Sequence, residues 1–363
     1  MSAKTTESFW LDAWYQGRWW LWLLWPLSLL LRLLAVVRRR HLSAKTEALD
    51  VPVIVVGNIT LGGTGKTPVI ISLVQHLRDK GFTPGVVSRG YGSKAPHYPY
   101  LVTSSSPVTE SGDEPLLIAL ETDCPVMIGA DRIAAAQSLI DHHQCDILLS
   151  DDGLQHYRLP RQWEICVLDA GRLWGNGLCL PAGPLRESPN RLAQVNAILL
   201  NGQLTDEQQS QSQVKELLGE AHSLVLKPSA WHNLEDDSRC SIEAFPRPAE
   251  IAEDKERDDD EGQQRFAITG IGNPNRFFDT LSSLGIDCPS QSFPDHYAFA
   301  ASDLAFAGDN LLMMTAKDAV KCRSFARANW WYLSVSAQLS ESFWAQMDDF
   351  LSDHRQSKPT NID

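Results

Sequence analysis

Thr60-Leu61-Gly62-Gly63-Thr64-Gly65-Lys66-Thr67 is a glycine-rich turn that follows the apolar run Val51–Val56 and precedes a stretch with helical apolar spacing. A buried strand, such a turn and a helix that opens on Gly-Lys-Thr together form an architecture that binds nucleotide phosphates. The glycines let backbone N–H groups point at the phosphates, and the helix N-terminus adds positive potential. We expect Lys66 to reach the β- and γ-phosphates and the Thr67 hydroxyl to ligate Mg²⁺. The eight residues 60–67 are therefore candidate nucleotide-binding residues.

One position departs from the usual pattern, which has a glycine six residues before the lysine, where this chain has Thr60. A glycine turn with an incidental lysine is the alternative interpretation. The strand before the turn, and the helical spacing of Val69, Leu73, Val74 and Leu77 after it, favour phosphate binding.

The composition limits the class of protein. The chain has 363 residues, which is enough for two domains. Its formal net charge of −13 argues against nucleic acid as the main partner, because a protein that binds a polyphosphate chain usually presents a basic surface to it. The seven cysteines are odd in number and form no Cys-x-x-Cys pair. This pattern predicts reduced thiols in a cytosolic compartment, with neither a disulfide framework nor a zinc site.

The N-terminus is rich in tryptophan, with six of the 12 tryptophans in the first 25 residues. Residues 19–31 carry no charge, and the basic cluster Arg38-Arg39-Arg40-His41 follows shortly after. This uncharged run is short for a bilayer span, tryptophan favours the headgroup level, and a basic cluster suits anionic lipids. The segment is therefore predicted to be a membrane-surface anchor.

Three other interpretations of this segment agree less well with its residues. A secretory signal would need a basic start, but Glu7 and Asp12 balance Lys4 and Arg18. A transmembrane helix would have to accommodate Pro26 and Arg32. A buried core helix fits poorly with so many tryptophans.

Beyond the anchor, apolar strands alternate with helical stretches, which is typical of a parallel sheet covered on both faces. The predicted strands of the first domain are Val51–Val56, Pro84–Ser88, Pro125–Ile128, Asp146–Ser150, Glu164–Asp169, Ala197–Asn201 and Ser223–Lys227. A second, smaller α/β domain is predicted from Phe266–Gly272, Leu311–Thr315 and Trp330–Val335. Ligands bind such sheets at the carboxyl ends of the strands.

The charge run Glu253–Glu261 is interpreted as a solvated loop between the domains. The predicted organisation is an N-terminal membrane-associated helical segment at 1–45, a P-loop core domain at 46–235, an acidic linker at 236–264 and the second domain at 265–363.

Candidate acidic residues follow one of the predicted strands and precede one of the predicted helices. Asp151 and Asp152 follow Asp146–Ser150, and next to a P-loop such a pair suggests a Mg²⁺ site, although a plain turn is the alternative. Asp113 precedes the apolar helix Leu116–Leu120, where it is either a candidate base or a helix cap.

Other loops offer hydrogen-bond donors. Arg89 and Tyr91 follow a strand between glycines, in a segment that could equally be a plain loop. Between Gln155 and Arg191 there are five arginines against three acids, in a chain of opposite net charge. Arginine forks such as that of Arg186 suit a phosphorylated, anionic substrate.

In the second domain, Asp295-His296 is most simply a polar turn, unless a cleft brings it to the P-loop. Thr315-Ala316-Lys317-Asp318 lacks the residue between lysine and aspartate that the guanine-reading signature of GTPases has, so GTP specificity is unsupported.

Taken together, these segments resemble the tetraacyldisaccharide 4′-kinase family, the lipid A 4′-kinases of Gram-negative bacteria, across roughly residues 20–335. The motifs that carry the resemblance, in chain order, are Val56-Gly57-Asn58, Gly62–Pro68, Ser88–Gly92, Gly112–Pro115, Asp151–His156, Leu180–Glu187, Gly270–Pro274, Asp295-His296 and Thr315–Lys321. The family shares the missing first glycine, at the position of Thr60. The acidic insert around 250–264 is longer than the family needs.

The resemblance implies a lipid kinase that transfers the ATP γ-phosphate to the 4′-hydroxyl of a tetraacylated glucosamine disaccharide 1-phosphate. It also implies two α/β/α domains with ATP and Mg²⁺ between them, and a monotopic position on the cytoplasmic face of the inner membrane. Lys66 and Thr67 would hold phosphates and Mg²⁺, and Asp151, Asp152 and Glu187 would be the metal-side acids. Asp113 would be the base, with His296 its partner. The candidate substrate-binding residues are Asn58, Arg89, Tyr91, Gln155, His156 and Arg186.

Two other functions explain only part of the sequence. A membrane-recruited P-loop NTPase that drives a conformational change explains the P-loop and the anchor, but leaves the arginine-rich loops and Asp295-His296 without a role. A membrane adaptor without enzymatic activity ignores the P-loop. No obligate protein partner is inferred.

Overall fold

The computed structural model describes residues 6–44, 46, 48–245 and 264–355. The strands are β1 (Val53–Gly57), β2 (Pro84–Ser88), β3 (Tyr100–Val102), β4 (Val126–Ile128), β5 (Ile147–Asp151), β6 (Trp163–Asp169), β7 (Ala197–Asn201), β8 (His222–Asn233), β9 (Arg239–Cys240), β10 (Arg265–Thr269), β11 (Ser290–Ser292), β12 (Leu311–Thr315) and β13 (Trp330–Leu339). The α-helices are α1 (Thr6–Tyr15), α2 (Trp25–Ser43), α3 (Lys66–Asp79), α4 (Val108–Ser111), α5 (Asp113–Thr122), α6 (Arg132–His143), α7 (Asp206–Ser210), α8 (Ser212–Leu218), α9 (Pro274–Ser283), α10 (Ala316–Cys322) and α11 (Glu341–Arg355). Short 3₁₀ helices span Trp19–Leu24, Pro189–Gln194, Ala301–Ala307 and Arg323–Phe325.

Within the described residues the strands form a single sheet in the order β11-β10-β12-β13-β8-β7-β6-β1-β5-β2-β4-β3, with β9 beside β8. Neighbouring strands are parallel except at the pairs β3–β4, β8–β9 and β8–β13. The predicted mostly parallel α/β architecture is confirmed. We call β1–β7 with their helices the first half and β10–β13 with α9 and α10 the second half.

The long antiparallel pair of β8 and β13 joins the two halves. Its register runs from Trp331 opposite Asn233 to Leu339 opposite Leu224. The sequence predicted only Ser223–Lys227 of β8, because Pro228 follows directly and a proline within a run argues against a central strand.

The core of the first half lies on both faces of β1, whose residues are all buried. On one face α3 buries Val69, Leu73, Val74 and Leu77, as their spacing predicted. The last helix, α11, packs on the same core, where Trp163 stacks on Phe343 and Phe350. The chain thus returns to the first half after the second is complete. The domain limits remain a prediction, and the charge run Glu253–Glu261 lies outside the described residues.

The N-terminal segment exposes its apolar side chains. Residues Trp19–Ser43 form a helical stretch of 25 residues that is long and apolar enough to cross a membrane. Trp19 is 76% exposed and Trp22 is 62% exposed, and most leucines of α2 are exposed as well. Such exposure contradicts the core-helix interpretation, because a core helix buries its apolar face.

A few buried contacts hold this segment to the first half. The Ser28 hydroxyl donates to the Cys179 carbonyl (2.9 Å) and accepts from the Ala182 amide (3.1 Å). The Trp14 indole N–H donates to the Pro181 carbonyl (3.0 Å). The anchor therefore rests on the loop 176–187, which also contacts the phosphate loop.

Candidate active site

The phosphate loop starts where β1 ends and finishes at the first turn of α3. Gly62 and Gly65 each have a φ of 98°, a backbone conformation that favours glycine. A Cβ at Gly65 would lie 2.8 Å from Asn201 Nδ2, and that amide donates to the Thr64 carbonyl (2.9 Å). Glycine is therefore required at position 65 for both conformation and space.

Neighbouring segments hold the loop in place. The Leu61 amide donates to the Pro184 carbonyl (2.9 Å), and the Arg186 amide donates to the Ile59 carbonyl (2.7 Å). The Asn58 side-chain oxygen and the Thr64 hydroxyl are buried and have no hydrogen-bond partner within the described residues. Buried polar atoms are rarely left unpaired, so these two are suited to meet a polar ligand.

The acid pair at the end of β5 faces two cations. Asp152 lies 3.5 Å from Lys66 Nζ and 2.7 Å from Arg186 Nη1. Although burial opposes ionisation, these two cations lower the pKa of Asp152 well below its usual range. The Asp151 carboxylate accepts a hydrogen bond from Ser88 (2.9 Å), and its other oxygen is buried without a partner among the described residues. Burial, followed by repulsion from Glu114 and Asp152, raises the pKa of Asp151.

These acids fit a Mg²⁺ ion better than a metal held by protein ligands alone. The described residues contain no cluster of three or more His, Cys, Asp or Glu that could hold a metal. Mg²⁺ needs no such cluster, since it is usually bound by one or two carboxylates together with phosphates and water. A divalent cation would coordinate the unpaired carboxylate oxygen of Asp151, and its positive charge would lower the raised pKa of that group. The Glu187 carboxylate accepts a hydrogen bond from Gln155 Nε2 (2.8 Å) and forms an ion pair with Arg191 Nε (3.6 Å), so both of its oxygens already have partners.

Asp113 and His296 lie 183 residues apart in sequence and meet across the two halves. Asp113 begins α5 in the first half, and His296 lies on a loop of the second half in a left-handed conformation with a φ of 57°. His296 Nδ1 is 3.0 Å from Asp113 Oδ2. The Asp113 side chain is buried, whereas His296 is partly exposed. The fold thus brings together the two residues that the resemblance paired.

The contact shifts the pKa of both groups. Burial would raise the pKa of Asp113, but the hydrogen bond with His296 and the charge of Lys317 lower it to about 2. The same hydrogen bond raises the pKa of His296, against burial and the charge of Lys317. Asp113 is therefore ionised throughout the neutral range, and His296 is the member of the pair that titrates at the higher pH.

The candidate substrate-binding residues divide into two groups. Gln155 Nε2 donates to the Asn58 carbonyl (3.1 Å), and Arg186 contacts Gln155 (3.4 Å), so these three lie together beside the acid pair. The Tyr91 ring is 70% exposed, and its centre is 5.5 Å from that of His296.

Arg89 and His156 are less closely connected. Arg89 is exposed directly after β2. Burial, together with Arg132 and Arg161, lowers the pKa of His156 to about 4 and keeps its ring neutral. No hydrogen bond within the described part of the chain joins either side chain to the other candidates.

Two cations without a predicted role also lie at this site. Lys317, the second residue of α10, contacts both members of the Asp113–His296 pair. Arg172 Nη2 donates to the Gly272 carbonyl of the second half (3.3 Å), and Arg172 also lies over the Tyr15 ring of α1. The excess of arginines was the only signal for Arg172, and it did not single out this position.

Comparison with known proteins agrees with this geometry. A family model described as tetraacyldisaccharide-1-P 4′-kinase matches residues 20–352. The chain belongs to this family. The family predicted from the motifs is therefore confirmed, and the match includes most of the anchor, the phosphate loop and the Asp113–His296 pair.

Similar proteins carry the same family name over nearly their whole length. A tetraacyldisaccharide 4′-kinase of Hahella chejuensis is 40% identical over 354 residues, which is 95% of this chain and 97% of that protein. One of Pseudomonas aeruginosa (strain LESB58) is 46% identical over 341 residues, which is 93% of this chain and 95% of that protein.

The family fold is also shared by a solved structure. The crystal structure of LpxK from Aquifex aeolicus, described as a complex with ATP, superposes with a TM-score of 0.71 at 24% identity. The superposition covers 92% of this chain and 99% of that one. At this identity the similarity supports the fold alone.

Proposed function

We propose that this chain transfers the γ-phosphate of ATP to the 4′-hydroxyl of a tetraacylated glucosamine disaccharide 1-phosphate, in lipid A biosynthesis. The observation that carries the proposal is the contact of Asp113 with His296, at the sheet edge where the phosphate loop and the acid pair lie. A nucleotide-driven switch needs the phosphate loop but no such pair. Membership of the family supports the same reaction.

In this mechanism the protein positions the reactants and neutralises charge, which is most of what phosphoryl transfer requires. Residues 60–67 bind the phosphates of ATP, and Lys66 moves its charge from Asp152 to the transferring phosphate. Asp151, Asp152 and Thr67 would hold Mg²⁺, which supplies positive charge to the phosphate oxygens when bound. Arg186 holds Asp152 ionised through their 2.7 Å ion pair.

Asp113 accepts the proton of the substrate hydroxyl. A carboxylate with a low pKa is a weak base, but the hydroxyl proton has to leave only late in a loose transition state. A neutral His296 that donates Nδ1–H orients the carboxylate, whereas a protonated His296 would weaken it further as a base. Gln155, Arg186 and Tyr91 are the donors best placed for the anionic sugar.

The reaction itself is tested with labelled ATP and purified tetraacylated disaccharide 1-phosphate in detergent. We expect the label to appear in the lipid, with one new phosphate ester at the 4′ position. A nucleotide-driven switch would release labelled phosphate and leave the lipid unlabelled, which would overturn the proposal.

Magnesium dependence can be measured in the same assay. Replacing Asp151 by Asn should raise the Mg²⁺ concentration for half-maximal activity at least about tenfold, because the neutral amide lacks the negative charge that attracts the cation. Asp141→Asn, on the exposed side of α6, is the matched control. An unchanged Mg²⁺ requirement in Asp151→Asn would remove Asp151 from the metal site.

The anchor is proposed to hold the enzyme on the cytoplasmic face of the inner membrane as a monotopic protein. The exposed tryptophans and leucines offer an apolar surface, and Arg38, Arg39 and Arg40 offer charge to anionic lipids. Because a four-chain lipid does not leave the bilayer readily, this position gives the site access to its substrate.

Replacing Trp19 and Trp22 by serine should weaken binding to anionic lipid vesicles more than tenfold, since each large side chain contributes about 2 kcal/mol when buried. Trp20 is left in place because it packs on Trp10, with ring centres 5.5 Å apart. Phe306→Ser, which changes an exposed aromatic residue of the second half, is the control. Equal vesicle binding by the double variant would place the membrane contact elsewhere.

A further inference from the structure

Lys317 lies between the two halves in a pocket of acidic side chains. Its ammonium nitrogen is 3.0 Å from Glu114 Oε1, 3.6 Å from Asp295 Oδ1 and 3.8 Å from Asp113 Oδ2. It is also 3.4 Å from His296 Nε2. Its side chain is only 17% exposed. No other cation in the described residues contacts both members of the Asp113–His296 pair.

Contacts of helix α10 with the end of β10 hold Lys317 in position. The Thr315 hydroxyl caps α10 by accepting from the Asp318 amide. The buried Asp318 carboxylate accepts from the Thr269 hydroxyl and the Gly270 amide, both at 3.0 Å. These contacts attach the first turn of α10 to β10, so Lys317 is presented to the pair from a rigid support.

An ammonium group can only donate hydrogen bonds. As a hydrogen bond, the contact between Lys317 and His296 Nε2 uses a lone pair on Nε2, which leaves the proton of a neutral ring on Nδ1. The competing acceptor at Nε2, Asp295 Oδ1, is farther away, at 4.0 Å. Nδ1 faces Asp113 Oδ2, so the proton is donated to that carboxylate. In a neutral histidine, the partner of one nitrogen determines the proton position on the other.

The charges around this contact act on His296 in opposite directions: Lys317 favours the neutral ring, whereas Asp113 and Asp295 favour the protonated ring. Burial would lower the pKa of Lys317, but Glu114, Asp113 and Asp295 raise it far enough to keep the ammonium charged. Lys317 in turn lowers the pKa of Asp113 and that of His296. The other groups that face the pair are Asp295, which raises the pKa of His296, Lys321, which lowers that of Asp113, and the Tyr91 ring.

We propose that Lys317 is a positioning residue for the phosphoryl transfer, which holds His296 in its Nδ1-protonated neutral form and thereby orients Asp113. The proposal rests on the proposed function for its kinetic consequence, but not for the state of the imidazole. It gives the Thr315–Lys321 motif a role in the reaction.

The kinetic test compares Lys317→Met and Lys317→Arg with Lys80→Met, which removes an exposed lysine at the end of α3. We expect Lys317→Met to lower kcat roughly ten- to a hundredfold, with the KM for ATP within about threefold. The acidic limb of its pH–rate profile should shift to higher pH by roughly one unit, since His296 loses a neighbouring positive charge. In Lys317→Arg this limb should lie at the same pH as in the wild type. A lower kcat with an unmoved limb would show a merely structural role and overturn the proposal.

Nitrogen-15 NMR of His296, assigned with His296→Gln, tests the imidazole directly and needs no substrate. We expect the Nδ1-protonated form above the histidine pKa in the wild type, and a mixture of tautomers in Lys317→Met. An Nε2-protonated wild type would overturn the proposal whether or not the lipid is phosphorylated. If the NMR result holds but no lipid is labelled, the proposed function fails instead. Thermal melting and ATP binding show whether Lys317→Met is folded. If it is not folded, the tautomer in the wild-type spectrum and the pH–rate profile of Lys317→Arg decide whether the proposal holds.

Discussion

Lys66→Ala should lower kcat/KM by roughly a hundred- to a thousandfold, the largest effect expected of any single substitution in the phosphate loop. A charged contact to the transferring phosphate stabilises the transition state by about 3–4 kcal/mol. Stability should change little, because Asp152, the ion-pair partner of Lys66, keeps its 2.7 Å pair with Arg186. The measurement is the initial rate of lipid labelling, together with a thermal melt.

Lys80→Ala is the matched control for this experiment, since Lys80 follows the last residue of the same helix and pairs with Asp348 at the surface. It should retain near-normal activity. If Lys66→Ala also retained near-normal activity, the assignment of residues 60–67 to the nucleotide would be wrong.

Asp113→Ala should reduce kcat by roughly 10²- to 10⁴-fold, the usual contribution of a positioned general base. The affinity for ATP should stay within a few fold, because the base acts on the acceptor hydroxyl and lies outside residues 60–67. Asp123→Asn is the control, since Asp123 is exposed just after the other end of the same helix. A comparable loss of ATP affinity in Asp113→Ala would indicate that Asp113 positions metal or phosphate instead.

Much of the fold could be predicted from local patterns. Strands β2, β7 and β12 coincide with the predicted ranges, because each is a short, wholly apolar or small-residue run between turns. The edge strand β3 was missed, since Tyr100–Val102 is only three residues long. The edge strand β11 was indicated only as a strand-like run before Phe293, without bounds, since Ser290–Ser292 has no apolar residue. Their strand conformation depends on the sheet beside them, and not on their own composition.

The site was predictable to a lesser degree. The phosphate loop is a local motif, so residues 60–67 could be read from the sequence. The pairing of Asp113 with His296 came from the family resemblance, because no local rule connects residues 183 positions apart. Lys317 shows the limit of both approaches. Its role depends on four side chains from two other segments, Asp113-Glu114 and Asp295-His296, and that arrangement exists only after the two halves have joined through β8 and β13.

The sequence predicted that the N-terminal segment contacts a membrane surface, but it did not predict which of its tryptophans are exposed. Tryptophan content and the basic cluster indicated a membrane surface, and the exposure of Trp19 and Trp22 agrees with that interpretation. Composition could not distinguish these two from Trp20, which packs within the segment. Only the path of the chain from α1 into α2 determines which rings face outward.

In the proposed mechanism, Asp113 from the first half and His296 from the second act as one proton-accepting unit. The most direct test is a double-mutant cycle on kcat with Asp113→Ala, His296→Ala and the double variant. We expect His296→Ala to lose less than Asp113→Ala, and the double variant to be scarcely slower than Asp113→Ala alone, because residues that act as a unit are not additive. Multiplicative losses in the double variant would contradict the claim and assign the two residues separate tasks.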